Sequence, residues 1–384
     1  MQKIIIVSDS FKGTLSSREI CVLARQAVAR VFPGCAVAAI PIADGGEGTV
    51  DCFVDAAGAE PVTVRASAPL GGSVDAVYAR KGACAVIETA SAAGLPLLGE
   101  RRDPLRATTR GVGELIRHAI EHGCREVLLG LGGSCTNDAG CGCASALGTR
   151  FFDAEGHEFI PAGGTLERIA RIDNSAAERL LSGVSVTLMS DVDNPLYGEN
   201  GAAYVFAPQK GADAAAVSAL DKGLRSFAAV VERELGKSVA NLPGAGAAGG
   251  MGAGCAAFLG ARVRSGIEAM LELTEFDAQL DGADLVITGE GRIDSQSLRG
   301  KVLSGVAAHT RARGVPLVAV AGSIAPDASA AYELGVTAMF GIDRAAKPLE
   351  EYAGDSAACY RATLEDVLRL IAAFAPRREA PAPD

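Results

Sequence analysis

The chain has no cluster of basic residues: its 36 lysines and arginines are scattered among 46 acidic residues, and the net charge is −10. Scattered positive charge argues against a nucleic-acid-binding surface or a surface for anionic membranes. A CxxC pair is also missing, and the ten cysteines show no regular spacing, which favours reduced, buried side chains over a disulfide framework. The first residues, MQKIIIVSDSFKG, contain no secretory leader, so we expect a cytoplasmic protein.

Two nucleotide-binding motifs are absent as well. GxxxxGK[ST] matches nowhere, since Gly300 and Lys301 are followed by Val302, and no GxGxxG follows the first apolar run. The longest uncharged segment, 243–261, is mostly Gly and Ala and too weakly apolar for a membrane helix. Within it the glycines from Gly246 to Gly254 indicate either close helix packing or a flexible lid over a ligand.

A chain of 384 residues is long enough for two domains with a cleft between them. Its 47 glycines concentrate where apolar, β-branched runs end. These runs predict short buried strands at 3–7, 126–131, 185–189, 284–288, 315–321 and 336–341. Helical stretches between several of them favour a mainly parallel sheet, with ligands bound beyond the carboxyl ends of the strands.

The first helix has the clearest signal. Ser16 and Glu19 form a capping box, apolar residues then recur at helical spacing, and Pro33-Gly34 ends the helix. From about Pro61 to Thr89 short alternating strands predict an antiparallel meander instead.

We therefore predict two α/β domains: a Rossmann-like domain with a mainly parallel sheet, and a second domain with a mixed sheet, the active site lying in the cleft. The first is discontinuous, from residues 1–60 plus 265–376, and the second spans 61–264. Residues 377–384 contain no core-forming side chains and predict a disordered tail.

Five polar loops carry the candidate chemistry. In the first, Asp9 to Thr14, the ammonium of Lys12 lies just before a helix N-terminus and can neutralise a phosphate or a carboxylate. In the second, Asp44 to Thr49, glycines allow backbone amides to approach a ligand, and two acids can meet a metal or a substrate hydroxyl. Simple turns and caps are the structural alternative for both loops.

The third loop, Gly132 to Gly140, follows the strand VLLGL and directs amides and polar side chains above the sheet, where a phosphate fits. The fourth places Asp191 and Asp193 directly after a strand, which suits a metal ligand or a general base. The fifth, Thr288 to Asp294, combines acids, an arginine and glycines. His118 and His122 stand four residues apart, but we favour a structural role because no further ligand cluster is evident.

Taken together, the loops resemble the bacterial type I glycerate kinase family over nearly the whole chain. The motifs DSFKGT, PIADGGEGT, GGSCTNDAG, DVDNPLYG, VFAPQKGA, GAGAAGGMGAG and ITGEGRIDSQ follow one another in that family's order. This chain departs from the pattern at Cys135, Ala139 and Leu303, where the family leads us to expect Ala, Gly and Pro.

The resemblance implies ATP-dependent phosphorylation of D-glycerate, with 2-phosphoglycerate favoured over 3-phosphoglycerate as product, and with ATP and Mg²⁺ required. We expect Asp191 to be the base or a metal-linked acid, and Lys12 to hold a phosphate or the glycerate carboxylate. Glu290 and Asp294, with Asp193, are expected to serve Mg²⁺ or the nucleotide. The substrate- or phosphate-binding residues are then Asp9, Ser10, Asp44, Gly45, Gly46, Glu47, Gly132, Gly133, Ser134, Thr136, Asn137, Asp138, Arg292 and Lys301.

Two other function classes stay open at this point. The same acids and glycine loops suit a metal-dependent phosphohydrolase, which activates water instead of excluding it. A non-catalytic sensor of a hydroxy acid is the other. In each case the partners are small molecules, without nucleic acid or membrane, and the protein is a monomer or a homodimer.

Overall fold

The structure is a computed structural model, which describes residues 1–11, 13–43, 45–46, 48–295, 297–298, 301–344 and 354–374. Within these ranges no helix combines the length and the apolar character that a membrane span needs. All ten cysteines lie in the described residues, and each is a free thiol.

The strands, in chain order, are β1 (Lys3–Ser8), β2 (Ala36–Pro41), β3 (Glu60–Ser67), β4 (Ser73–Lys81), β5 (Cys84–Glu88), β6 (Glu126–Gly130), β7 (Arg150–Phe152), β8 (Glu158–Phe159), β9 (Arg171–Asp173), β10 (Ser185–Met189), β11 (Arg262–Arg264), β12 (Leu285–Gly289), β13 (Arg292–Ile293), β14 (Leu317–Ala321), β15 (Ser323–Ile324) and β16 (Val336–Gly341).

The α-helices are α1 (Ser17–Val31), α2 (Thr49–Ala57), α3 (Thr89–Ala93), α4 (Arg110–Glu121), α5 (Cys141–Leu147), α6 (Ser175–Leu180), α7 (Ala202–Phe206), α8 (Ala214–Leu235), α9 (Ala247–Leu259), α10 (Gly266–Leu273), α11 (Phe276–Leu280), α12 (Val302–Arg313), α13 (Ala331–Leu334) and α14 (Ser356–Phe374). Single turns of 3₁₀ helix occur at Leu95–Leu98, Gly163–Arg168, Pro208–Lys210 and Pro326–Ala330.

The chain divides into two compact units. Residues Met1–Ala43 and the chain from Met270 onward form the first, and Asp44–Ala269 form the second. We predicted a boundary at residue 60, after α2. In the structure α2 belongs to the second unit, because it packs on β4 and β5.

The first unit contains a five-stranded sheet in the order β16-β14-β12-β1-β2, and every neighbouring pair is parallel. Ile4 and Ile6 pack with α1 and α14 in one apolar cluster. Ile5, which points to the opposite face of the sheet, is equally buried. Strands covered on both faces explain why these segments are continuous apolar runs.

The order of this sheet creates a switch point between β1 and β12. The chain leaves β1 toward β2 on one side, and all later strands of the sheet lie on the other. The loops after β1 and β12 therefore leave the sheet side by side at its carboxyl edge, which is where open parallel sheets bind ligands.

The second unit contains a six-stranded sheet in the order β11-β10-β6-β5-β4-β3. Its first four strands are mutually parallel, whereas β5, β4 and β3 form the predicted antiparallel meander. Helices α4, α5, α8 and α9 supply much of its apolar core. The predicted fold class, one mainly parallel sheet and one mixed sheet, each with helices, is confirmed.

Candidate functional site

In the first unit, candidate residues meet where β1 and β12 end. Ser8 is in register with Gly289, and the amide of Asp9 donates to the Gly289 carbonyl at 2.9 Å. The Ser8 hydroxyl donates to the same carbonyl at 3.0 Å. These bonds hold the start of the Asp9 loop against the start of the Glu290 loop.

Glu290 is a buried acid of this cluster. Its side chain is only 6% exposed, and Oε1 is buried without a hydrogen-bond partner among the described residues. Burial raises the pKa of Glu290 to about 7, and the negative charges of Asp9 and Asp294 act in the same direction. Ser297 and Lys301 oppose this rise. A buried carboxylate among other acids is the arrangement expected before a cation or a proton joins it.

The remaining candidates of the first unit follow β1 and β12 or stand at the start of α12. Arg292 is exposed and pairs with Asp294, with 3.5 Å between Nε and Oδ2. Ser10 donates its amide to the Asp9 carboxylate at 2.7 Å. Lys301 is the N-cap residue of α12 and is half-buried. Lys12, like Asp44 and Glu47 of the second loop, lies outside the described residues, so the roles predicted for these three stay predictions.

In the second unit, the glycines of the second and third loops pack against one another beside the end of β10. The amide of Gly132 donates to the Gly45 carbonyl at 3.1 Å. A Cβ on Gly45 would lie 2.8 Å from the Met189 carbonyl oxygen, and the φ of Gly45 is +89°, so only glycine fits there. A Cβ on Gly132 would meet the Cα of Gly46 at 2.6 Å. The structure thus brings these two predicted loops together, and Gly133 is the exposed tip of the third.

Asp138 anchors the third loop from inside. Its fully buried carboxylate accepts from the amide and hydroxyl of Thr109 at 2.8 and 2.9 Å, and from the amides of Gly140 and Gly142 at 3.1 and 3.2 Å. Burial raises the pKa of Asp138, and these hydrogen bonds oppose that rise. The contacts favour a positioning role for Asp138, and direct binding of substrate by it stays a prediction.

A lysine absent from the sequence prediction supports the same loop. Lys210, at the end of the 3₁₀ turn Pro208–Lys210, is 1% exposed. Its Nζ donates to Ser134 Oγ at 3.0 Å and to the Thr136 carbonyl at 2.7 Å. Burial lowers its pKa to about 8, against the opposing influence of Cys135 and Asp138. The sequence holds a weak signal, because Lys210 follows the apolar run AAYVFAP, but nothing in that run indicates its partner.

Two predicted binding residues between Ser134 and Asp138 are buried with unused polar atoms. Thr136 Oγ1 and both Asn137 side-chain atoms, Oδ1 and Nδ2, have no hydrogen-bond partner among the described residues. Both side chains are fully buried. Buried polar groups are normally paired, so these atoms indicate a place where a ligand or water completes the structure.

The pair of acids after β10 lies at the same carboxyl edge of the second sheet. Asp191 is half-buried, and its Oδ1 accepts from the Gly266 amide at 3.4 Å. Asp193 is exposed. Neighbouring Asn194 is held in the loop, because its side chain donates to the Asn200 carbonyl at 2.8 Å.

The structure also accounts for the histidine pair. The rings of His118 and His122 stack with their centroids 3.9 Å apart, and Tyr78 contacts His118 Nδ1 at 3.2 Å. Of the described residues, only Asp153, Glu155 and His157 have three ligand atoms grouped within 4.8 Å. Asp153 there faces Arg168 at 3.4 Å, and the other two residues are exposed, so this turn carries no metal hypothesis.

Comparison with known proteins gives one consistent result. A model of the glycerate kinase family matches residues 4–372. The glycerate kinase of Bacillus cereus (strain ATCC 10987 / NRS 248) is 44% identical over 352 residues, which are 91% of this chain and 92% of that protein. The glycerate 2-kinase of Escherichia coli (strain K12) is 41% identical over 352 residues, again 91% and 92% of the two chains.

A solved structure is similar over almost the full length. The crystal structure of a glycerate kinase 2 from Salmonella typhimurium LT2 has a TM-score of 0.86 and 40% identity, and the match covers 97% of this chain and 98% of that chain.

Proposed function

Because the chain belongs to the glycerate kinase family, we propose that it transfers the γ-phosphoryl group of ATP to the 2-hydroxyl of D-glycerate. The kinase class follows from the family match, and it sets aside the hydrolase and the sensor. The position of transfer is supported by the Escherichia coli relative, whose name is glycerate 2-kinase. The products are then ADP and 2-phosphoglycerate.

The structural observation that carries this proposal is the polar cluster around Glu290. It lies at the carboxyl ends of β1 and β12, at the switch point of the parallel sheet. Ligands of such sheets bind at this place, and phosphorylated ones are favoured by the amides and positive charge that loops and helix N-termini present there. Lys301, at the start of α12, supplies positive charge to this cluster.

Mg²⁺ fits the donors of this cluster, because carboxylate oxygens are its preferred protein ligands and Glu290 Oε1 is buried without a partner among the described residues. We infer that Glu290 and Asp294 hold the ion, with Asp9 beside them. Bound Mg²⁺ offsets the negative charge of the ATP phosphates. Removal of divalent cations with EDTA is expected to abolish turnover, and added Mg²⁺ to restore it.

Asp191 is the acid we assign to the glycerate hydroxyl. A carboxylate at this position accepts the proton as the hydroxyl attacks the phosphoryl group, and amide-lined loops keep the reacting groups aligned. Lys12 is assigned to a phosphate or to the glycerate carboxylate. Asp193, exposed two residues beyond Asp191, remains a candidate metal ligand.

The base and metal roles can be separated by Asp191→Asn and Asp193→Asn. An amide cannot accept the proton at neutral pH, so Asp191→Asn should lower kcat by at least about a hundredfold at every Mg²⁺ concentration. Asp193→Asn should instead raise the Mg²⁺ concentration needed for half-maximal activity. Rescue of Asp191→Asn by excess Mg²⁺ would move Asp191 to the metal, and near-normal turnover across the pH range would remove it from both roles.

We also propose that the protein is cytoplasmic. Ten free thiols fit a reducing compartment, which supports the cytoplasm. Glycerate and ATP are the partners that the function requires, and a monomer or a homodimer is expected.

A further inference from the structure

Lys210 carries a positive charge into the interior of the second unit. Its side chain is 1% exposed, and its ammonium bonds two acceptors that flank Cys135, Ser134 Oγ and the Thr136 carbonyl. Burying an ammonium is costly, and a neutral donor can join two loops at lower cost. The charge itself therefore calls for an explanation beyond holding the chain together.

The loop that Lys210 contacts is already fixed by other bonds. The Cys135 amide donates to the Ala93 carbonyl at 2.9 Å, and the Ala139 amide donates to the Gly249 carbonyl at 3.2 Å. Asp138 fixes the end of the loop through Thr109 and two glycine amides. With the backbone held in this way, Lys210 adds charge and orientation rather than the loop's basic fold.

The atoms left over in this loop fit a small hydroxy acid. Asn137 offers an amide donor and a carbonyl acceptor, and Thr136 offers a hydroxyl, and none of these atoms has a partner among the described residues. A carboxylate accepts from the amide nitrogen and from the hydroxyl, while the 3-hydroxyl of glycerate donates to the amide oxygen, which leaves the 2-hydroxyl to Asp191. A buried cation next to these groups favours an anion over a neutral ligand.

We propose that Lys210 is a positioning residue for the hydroxy-acid substrate: it holds the segment from Ser134 to Asn137 so that the Thr136 hydroxyl and the Asn137 amide bind glycerate. This inference rests on the proposed function and assigns the acceptor substrate to the second unit. The Thr136 and Asn137 side chains are covered in this conformation. Glycerate can therefore reach these side chains only if part of the protein that buries them moves. The kink at Gly249 is one such part, because it packs directly on the backbone of Thr136 and Asn137.

The test compares Lys210→Met and Lys210→Arg with the wild type, with Lys222→Met as control. Lys222 is an exposed lysine of the same unit that pairs with Glu167 at 3.1 Å. For Lys210→Met we expect the KM for glycerate to rise by at least about tenfold while the KM for ATP changes less than about twofold. Lys210→Arg should recover part of the glycerate affinity, and the control should match the wild type.

A pH profile adds a readout that a purely structural lysine would not move. Burial lowers the pKa of Lys210 to about 8, although Cys135 and Asp138 act in the opposite direction. The positive charge of Lys210 is therefore lost as the pH rises through that value. The wild-type kcat/KM for glycerate should then fall above pH 8, and Lys210→Arg should shift this fall to higher pH. An unchanged alkaline limb in Lys210→Arg would contradict the proposal.

Asn137→Ala covers the case in which Lys210→Met does not fold. The Asn137 side chain has no hydrogen bond to lose among the described residues, so this variant should stay folded, with only the lost packing lowering its thermal midpoint, and it should lose glycerate affinity in calorimetry without ATP. Unchanged glycerate binding, or equal effects on both substrates, would overturn the inference. A wild type that fails to phosphorylate glycerate would instead overturn the proposed function.

Discussion

At the residue scale, Glu290 shows how position changes the chemistry of a common side chain. It directly follows the buried strand β12, near Asp9 and Asp294, and only 6% of it is exposed to water. Both burial and neighbouring negative charge disfavour its ionised form, so its pKa rises to about 7. We therefore expect a bound cation to displace the proton of Glu290 near neutral pH.

Glu290→Gln should separate function from stability. We expect turnover to fall by at least about a hundredfold, because the amide is a poor ligand for Mg²⁺. The folded variant should instead be more stable than the wild type above neutral pH. The pKa of Glu290 is higher in the folded than in the unfolded chain, so the wild type loses stability as the pH rises from about 5 to about 7.

The variant lacks this loss, so in EDTA its thermal midpoint should equal that of the wild type at pH 5 and exceed it at pH 8. At about 1.4 kcal/mol per pKa unit, the difference amounts to about 3 kcal/mol at most. Glu333→Gln, at an exposed acid of the same unit, is the control and should show no such pH dependence. A Glu290→Gln variant less stable than the wild type at pH 8 would contradict the pKa assignment.

The polar loop after β6 shows which features of a site the sequence predicts and which it does not. Ser, Thr, Asn and Asp packed after a strand predict a polar loop, and the structure has one after β6. Which of them face a ligand depends on contacts far apart in the chain: Asp138 bonds Thr109, 29 residues away, and Lys210 bonds Ser134, 76 residues away. No local spacing encodes such pairs, so the sequence does not predict that Lys210 contacts this loop.

At the scale of elements, local signals predicted several boundaries correctly. The capping box at Ser16 is present, with Ser16 Oγ accepting from the Glu19 amide at 3.2 Å, and α1 begins at Ser17. Strands β10 and β16 have the predicted bounds. β14 begins at Leu317 instead of the predicted residue 315, after Pro316, which has no N–H to donate.

The glycine-rich helix α9 is the element whose role the sequence left undecided. The structure supports close packing: Ala248, Gly249 and Gly250 form a left-handed kink at its start, and a Cβ on Gly249 would lie 2.0 Å from the Thr136 carbonyl oxygen. Composition alone cannot distinguish this from a mobile lid, since both need glycine for different physical reasons.

Gly249 of this helix and Gly260, the residue that caps its C-terminus, form a matched pair for a stability test. Gly249 and Gly260 both have left-handed backbone, with φ of +69° and +63°, but a Cβ on Gly260 meets nothing within 4 Å. Gly260→Ala should therefore cost only the backbone strain, about 1 kcal/mol. Gly249→Ala adds a clash with backbone atoms and should cost about 3 kcal/mol or more. Urea unfolding midpoints measure both, and equal losses would refute the close contact with Thr136.

At the scale of the whole molecule, alternation of strands and helices predicts two α/β units but not the order of strands within them. The switch point between β1 and β12 joins segments 281 residues apart, as the bond from Ser8 to Gly289 shows. Sheet order depends on such distant pairings. The family resemblance, confirmed by the match over residues 4–372, supplied the function that loop chemistry alone left shared between kinase and hydrolase.

The central claim is transfer of phosphate to the 2-hydroxyl of glycerate, and a proton-coupled phosphorus NMR spectrum of the reaction tests it most directly. With ATP, Mg²⁺ and D-glycerate, we predict ADP and one new phosphate ester, formed in equal amounts. Its signal should be a doublet, because phosphate on carbon 2 couples to a single proton. A triplet, from phosphate on the CH₂ of carbon 3, would contradict the assigned position, and free phosphate without any ester would contradict the kinase reaction itself.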